Sequence, residues 1–133
     1  MYHLNSFYSE DERVREKQLW IFQWVKVDDI YSKYNLNDRE EYYDFVDSHY
    51  SVETRTEIKK RVNQCVDEII LSWNKNICIV GHWWSLKLVR NYLLWIYDND
   101  IKIKNCSVSS YELVNNNRNE IILSDVKHLD ESI

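Results

Sequence analysis

Ile77-Cys78-Ile79-Val80 is an apolar run rich in β-branched side chains, and Gly81-His82 follows it directly. Such a run predicts a strand buried on both faces. Behind it Leu86, Val89, Leu93 and Ile96 recur at helical spacing, which predicts a helix over 85–97. Strand, turn and helix in this order imply a parallel or mixed sheet. Gly81 is the single glycine of 133 residues, so the turn is marked as a place needing φ > 0 or the close approach of a ligand. His82 then stands at the C-terminal end of a buried strand, where open α/β sheets bind ligands. A histidine that only hydrogen-bonds structurally fits that place about equally well.

The clearest helix outside this stretch begins at Thr54. Thr54 with Glu57 has the form of a capping box, and Ile58, Val62, Val66, Ile69, Ile70 and Trp73 repeat at three- and four-residue spacing over roughly five turns. Residues 1–9 show no period. Residues 10–25 begin charged and end with aromatics at Trp20, Phe22 and Trp24, which suits a strand, an extended segment or a short helix. Short helices are expected over 28–37, ended by Asn35-Leu36-Asn37-Asp38, and over 40–45, together forming a cap or lid. Residues 106–113 and 120–124 read as antiparallel strands joined by an Asn-rich hairpin loop at 115–119.

Composition excludes more than it identifies. The net charge of −5 argues against a general nucleic-acid or anionic-membrane partner, although a phosphorylated ligand needs only a few local donors. No apolar run approaches the ~20 residues of a membrane span and no signal region is visible, so a cytoplasmic location is expected. Cys65, Cys78 and Cys106 have no CxxC spacing, so the thiols are expected reduced, with neither a disulfide framework nor a metal site. With one glycine and no proline, turns must rely on Asn and Asp. No catalytic triad order, glycine-rich phosphate loop or metal cluster can be assembled from spacing alone.

Five segments in order do resemble one family. Val14-Arg15-Glu16-Lys17-Gln18-Leu19-Trp20-Ile21-Phe22-Gln23 is similar to "L-R-E-q-d-x-G-n-f-q", and Tyr50-Ser51-Val52-Glu53-Thr54 with Lys60-Arg61-Val62 is similar to "F-P-x-G-E-S" followed by "D-R-V". Ile77 to His82 and the helix behind it match an apolar strand with "T-H-G" and then "L-R-x-x-L". Asn105-Cys106-Ser107-Val108 resembles "N-C-S-V", and Ser124-Asp125-Val126-Lys127-His128-Leu129 resembles "N-D-x-x-H-L". Together they resemble the C-terminal two-thirds of the histidine phosphatase superfamily, the phosphoglycerate mutase-like proteins.

The resemblance implies an α/β fold, a three-layer sandwich with a mixed, mostly parallel sheet, and phosphoryl transfer through a phosphohistidine without a cofactor. Matching motif by motif, Glu16 would be the acid that protonates the leaving oxygen and His82 the second, phosphate-stabilising histidine. Arg15 and Glu53 would bind substrate or support those that do. The family's "R-H-G" segment, which follows the first central strand and carries the nucleophile, has no match; Tyr2-His3-Leu4 is a poor substitute. Trp83, Val52 and Trp20 stand where the family has glycine. The expectation is a single, partial domain over 1–133, lacking the first central strand and inactive alone. Completed by an N-terminal segment or a complementing chain, it would act on a phosphorylated small molecule or phosphoprotein. The alternative is a non-catalytic interaction module, a pseudophosphatase or homo-oligomer.

Overall fold

The computed structural model describes residues 9–49, 52–72, 75–97, 100–115 and 117–129. Tyr2-His3-Leu4, Tyr50-Ser51 and Trp73 lie outside the described residues. Four helices, α1 (Val27–Tyr34), α2 (Arg39–Asp47), α3 (Arg55–Leu71) and α4 (Trp83–Leu94), precede an antiparallel hairpin of β1 (Val108–Val114) and β2 (Asn117–Asp125). The chain is α/β.

The capping box forms as the sequence predicts. The Glu57 N–H donates to Thr54 Oγ1 at 3.2 Å, and the Thr54 N–H donates to Glu57 Oε2 at 2.8 Å. From there α3 buries Ile58, Val62, Cys65 and Val66. Ile58, Val62 and Val66 pack on Val89 and Leu93 of α4 to make one core cluster; Phe22, Ile30, Tyr42, Val46 and Val52 make a second. Residues 10–25 are neither strand nor α-helix but two 3-10 turns, Glu12–Val14 and Trp20–Phe22. Val14 packs on the α3/α4 cluster and Leu19 on the α1/α2 cluster. The intervening residues, with Glu16 among them, are thereby held between two cores.

The strand expected over 77–80 is absent among the described residues. Those residues belong to no regular element; Ile79 is half-buried on the α3/α4 cluster, while Ile77 and Val80 are exposed, Val80 at 86%. A strand buried on both faces needs ladder partners and cover on each side, and β1 and β2 pair only with each other. The helix behind it runs from Trp83 to Leu94 rather than over 85–97, with His82 as N-cap and Trp95 closing it at φ 55°.

Scarcity of glycine leaves other residues in the left-handed region. Asn35 (φ 54°) ends α1 and Asn115 (φ 47°) turns the hairpin, as Asn is suited to do. Trp95, Cys106 (φ 57°) and Ser124 (φ 50°) also occupy that region, at about 1 kcal/mol each. Trp95 is braced, because the Arg118 guanidinium lies 3.6 Å from its ring centroid and donates to the carbonyls of Tyr92 and Leu93. A cation at these last carbonyls of α4 also complements the helix dipole. Arg90 donates to Glu120 Oε2 at 2.5 Å, a second tie between α4 and the hairpin.

Candidate functional site

Glu16 and His82, far apart in sequence, meet in the fold: His82 Nδ1 contacts Glu16 Oε2 directly. Two different anchors bring them together. His82 is the N-cap of α4, and its Nδ1 faces the Trp84 N–H at 3.4 Å. Glu16 rides on the segment between the two cores, and its Oε1 accepts the Lys17 N–H at 2.8 Å.

That segment is fixed by a network centred on Glu53 and Arg61. Arg61 donates to Glu53 Oε1 at 2.6 Å and Oε2 at 3.0 Å, and to the carbonyls of Arg13, Arg15 and Glu16 at 2.6, 3.1 and 3.3 Å. Arg15 pairs with Glu53 at 3.1 Å, and the Glu53 and Gln18 backbones join at 3.2 Å. The fully buried Ser85 hydroxyl, one turn into α4, donates to the Arg15 carbonyl. Of the four sequence-predicted residues, Glu16 and His82 therefore share one contact, and Arg15 and Glu53 share an ion pair that supports Glu16 from behind. Burial raises the Glu53 carboxyl, and the hydrogen bonds from Arg61 more than reverse this, leaving it below its usual range.

Gly81 lies immediately before this site and does not have positive φ. A Cβ placed on it would lie 3.2 Å from the Val14 carbonyl oxygen. The glycine thus permits the close approach of the Val14 backbone, just before Glu16, to the start of α4, a protein contact rather than a turn requirement.

Burial lowers the pKa of the His82 imidazole. The positive end of the α4 dipole acts in the same direction and the Glu16 carboxylate against it. Nδ1 cannot accept the Trp84 N–H and donate to Glu16 at once. With the proton on Nδ1, the imidazole donates to the Glu16 carboxylate; with Nδ1 unprotonated, its one lone pair accepts either the Trp84 N–H or a protonated Glu16, not both.

Glu16, though not His82, lines a cavity of about 380 Å³ between α1, α2 and the start of α4, to which Lys17, Arg39 and several aromatic residues contribute. Lys17 is spent on Asp47, 2.8 Å away and largely buried, which Arg55 also binds at 2.8 Å. The other described histidines serve elsewhere: His49 hydrogen-bonds the Phe45 carbonyl and packs edge-on against Phe22 and Phe45, and His128 is exposed. No group of three or more His, Cys, Asp or Glu residues that could hold a metal ion occurs among the described residues. No helix among them is long and apolar enough to cross a membrane.

Sequence reasoning did not single out Arg61 for a role, nor Ser85, Lys17 or Arg39. Arg61 carried a signal in its match to the "D-R-V" segment; Ser85 carried none, since a serine in a helix's first turn is unremarkable.

The family model of the histidine phosphatase superfamily (branch 1) matches residues 3–125. The chain belongs to that superfamily. No curated protein and no solved structure gives a significant match.

Proposed function

We propose that this chain supplies the acid and phosphate-stabilising half of a phosphohistidine site. It catalyses phosphomonoester hydrolysis or phosphoryl transfer when a strand bearing a nucleophilic histidine is delivered by chain outside residues 9–129. The observation that carries the reading is the contact between Glu16 and His82, the two residues that the family motifs pair with those roles. With Nδ1 engaged by Glu16, Nε2–H is the donor left for a phosphoryl oxygen. The nucleophilic nitrogen attacks phosphorus, and the P–O bond to the alcohol breaks as Glu16 gives its proton to the leaving oxygen. Water then attacks the phosphohistidine and gives its proton to the Glu16 carboxylate, which releases phosphate and restores both groups. Arg15 and Glu53 act as positioning residues through the Glu16 backbone.

The same reading gives the residues 77–80 their place. Flanked by the delivered strand, they become part of the mostly parallel sheet of a three-layer sandwich, and Ile77 and Val80 gain cover. Hydrolysis of p-nitrophenyl phosphate tests the proposal. The chain alone is expected to give no turnover above the His82→Ala variant. Supplied with an R-H-G-bearing segment, it is expected to gain turnover that Glu16→Gln abolishes. Robust turnover by the chain alone, lost on His82→Ala, overturns the half-site reading.

A second reading has its own support. Val108, Leu113, Val114, Ile121 and Ile122 on the hairpin are exposed, as are Ile77 and Val80. Such surface suits a non-catalytic interaction module that self-associates or binds a partner. Size-exclusion chromatography over a range of concentrations discriminates: that reading expects a concentration-dependent shift, and a strictly monomeric, cooperatively folding chain counts against it.

A further inference from the structure

The cavity beside Glu16 has a built character of its own. Its aromatic lining is continuous: Tyr31 stacks on Tyr42 at 5.4 Å, Tyr42 meets Tyr43 at 5.6 Å, Tyr43 meets Trp84 at 5.5 Å, and Trp84 meets Trp83 at 5.4 Å. Trp83 in turn packs against His82 at 5.6 Å, so the aromatic wall ends at the Glu16–His82 pair. Dry cavities of ~150 Å³ hold a benzene. At about 380 Å³ this one holds a ring with substituents.

One charged group on the same lining, the solvent-exposed Arg39, is held toward the aromatic wall rather than by a carboxylate. Among the described residues Arg39 has no carboxylate partner, whereas Arg13, Arg15, Arg55, Arg61 and Arg90 all do. Its Nε and Nη2 instead donate to the Tyr43 hydroxyl at 3.1 and 3.0 Å, which fixes the guanidinium beside that ring. The indole Nε1–H of Trp84 is buried and has no acceptor among the described residues. An arginine that no carboxylate neutralises, held at the rim of an aromatic cavity, favours an anionic ligand there.

We propose that this cavity binds the alcohol part of the substrate and that this alcohol is a small aromatic one carrying a carboxylate. The ring lies along the Tyr43–Trp84 wall, the carboxylate takes the Arg39 guanidinium, and the hydroxyl oxygen, esterified to phosphate in the substrate, reaches Glu16. The assignment of the hydroxyl to Glu16 rests on the proposed phosphohistidine chemistry; the binding of the ring and its carboxylate does not.

Binding of the dephosphorylated compound separates the two. The full chain is titrated with 4-hydroxybenzoate and with phenol by NMR, with the Trp84 indole resonance assigned through Trp84→Phe. The expected result is millimolar or tighter binding of 4-hydroxybenzoate, a shift of the Trp84 indole proton, and binding about tenfold weaker for phenol and for Arg39→Gln. Arg118→Gln, which alters an arginine far from the cavity lining, is expected to leave binding unchanged. No shift of the Trp84 resonance up to ~10 mM ligand, or equal affinity in Arg39→Gln, overturns the proposal. Because no turnover is read, an inactive chain that binds in this way leaves the cavity assignment standing while the chemistry fails.

Discussion

Removing the Arg61 guanidinium tests whether the Glu16 segment is held as described. Arg61 and Glu53 expose only 13% and 11% of their side chains, so this is a pair whose partner cannot simply be replaced by water. In Arg61→Ala, Glu53 retains the Arg15 pair at 3.1 Å but loses both bonds to Arg61, and three carbonyls lose a charged donor. Breaking a buried pair from one side costs about 3–5 kcal/mol, a large share of the ~5–15 kcal/mol that holds a domain folded. Arg61→Lys keeps the charge but not the planar fork, and is expected to cost about 1–2 kcal/mol. Urea denaturation followed by circular dichroism near neutral pH gives both values. A loss below about 1 kcal/mol for Arg61→Ala, the scale of a surface ion pair, would refute the reasoning.

Thr54→Ala removes one half of the α3 capping box and is expected to lower stability by about 1 kcal/mol in the same urea assay. Gly81→Ala sets a Cβ against the Val14 carbonyl oxygen and is expected to cost about 1 kcal/mol; an unchanged midpoint would show that the Glu16 segment yields freely. Acid lowers stability in two stages. His82 is held below its usual pKa by burial, so the folded chain binds fewer protons than the unfolded one and stability begins to fall below about pH 6.5. Hydrogen bonds from Arg13 bring Asp11 down to about 2, while burial raises Asp47 and the Lys17 and Arg55 hydrogen bonds more than reverse it. With Glu53 lowered as well, their contribution is present above about pH 4.5 and is lost steeply as pH falls toward 2. A urea midpoint that rises on acidification contradicts these assignments.

The helices were legible because their signals are local. Thr54 and Glu57 cap α3 within one turn, and the apolar spacing of Ile58, Val62 and Val66 needs no knowledge of the partner it packs on. The hairpin was legible for the same reason, with Asn115 turning it and Arg118 to Glu120 facing Leu113 to Tyr111. The segment 77–80 was not, because an apolar β-branched run states a preference whose fulfilment depends on neighbouring strands. Of the readings open for residues 10–25 only the strand fails, because Phe22 is core while Trp24 is 92% exposed and the segment forms short 3-10 turns. His82 was marked by its place after the apolar run and Gly81, whereas Glu16 could be named only through the family motifs. Nothing in their spacing foretells that the Arg61 network and the α4 N-cap bring them into contact.

The central claim is that Glu16 and His82 meet in one site, and the titration of the His82 ring nitrogens followed by 15N NMR tests it most directly. In the Glu16→Gln variant the carboxylate that favours the imidazolium is gone, so the His82 pKa is expected to fall below that of the unaltered chain, with Nδ1 changing its tautomer signature. A His82 titration and tautomer identical in the two chains contradicts the account.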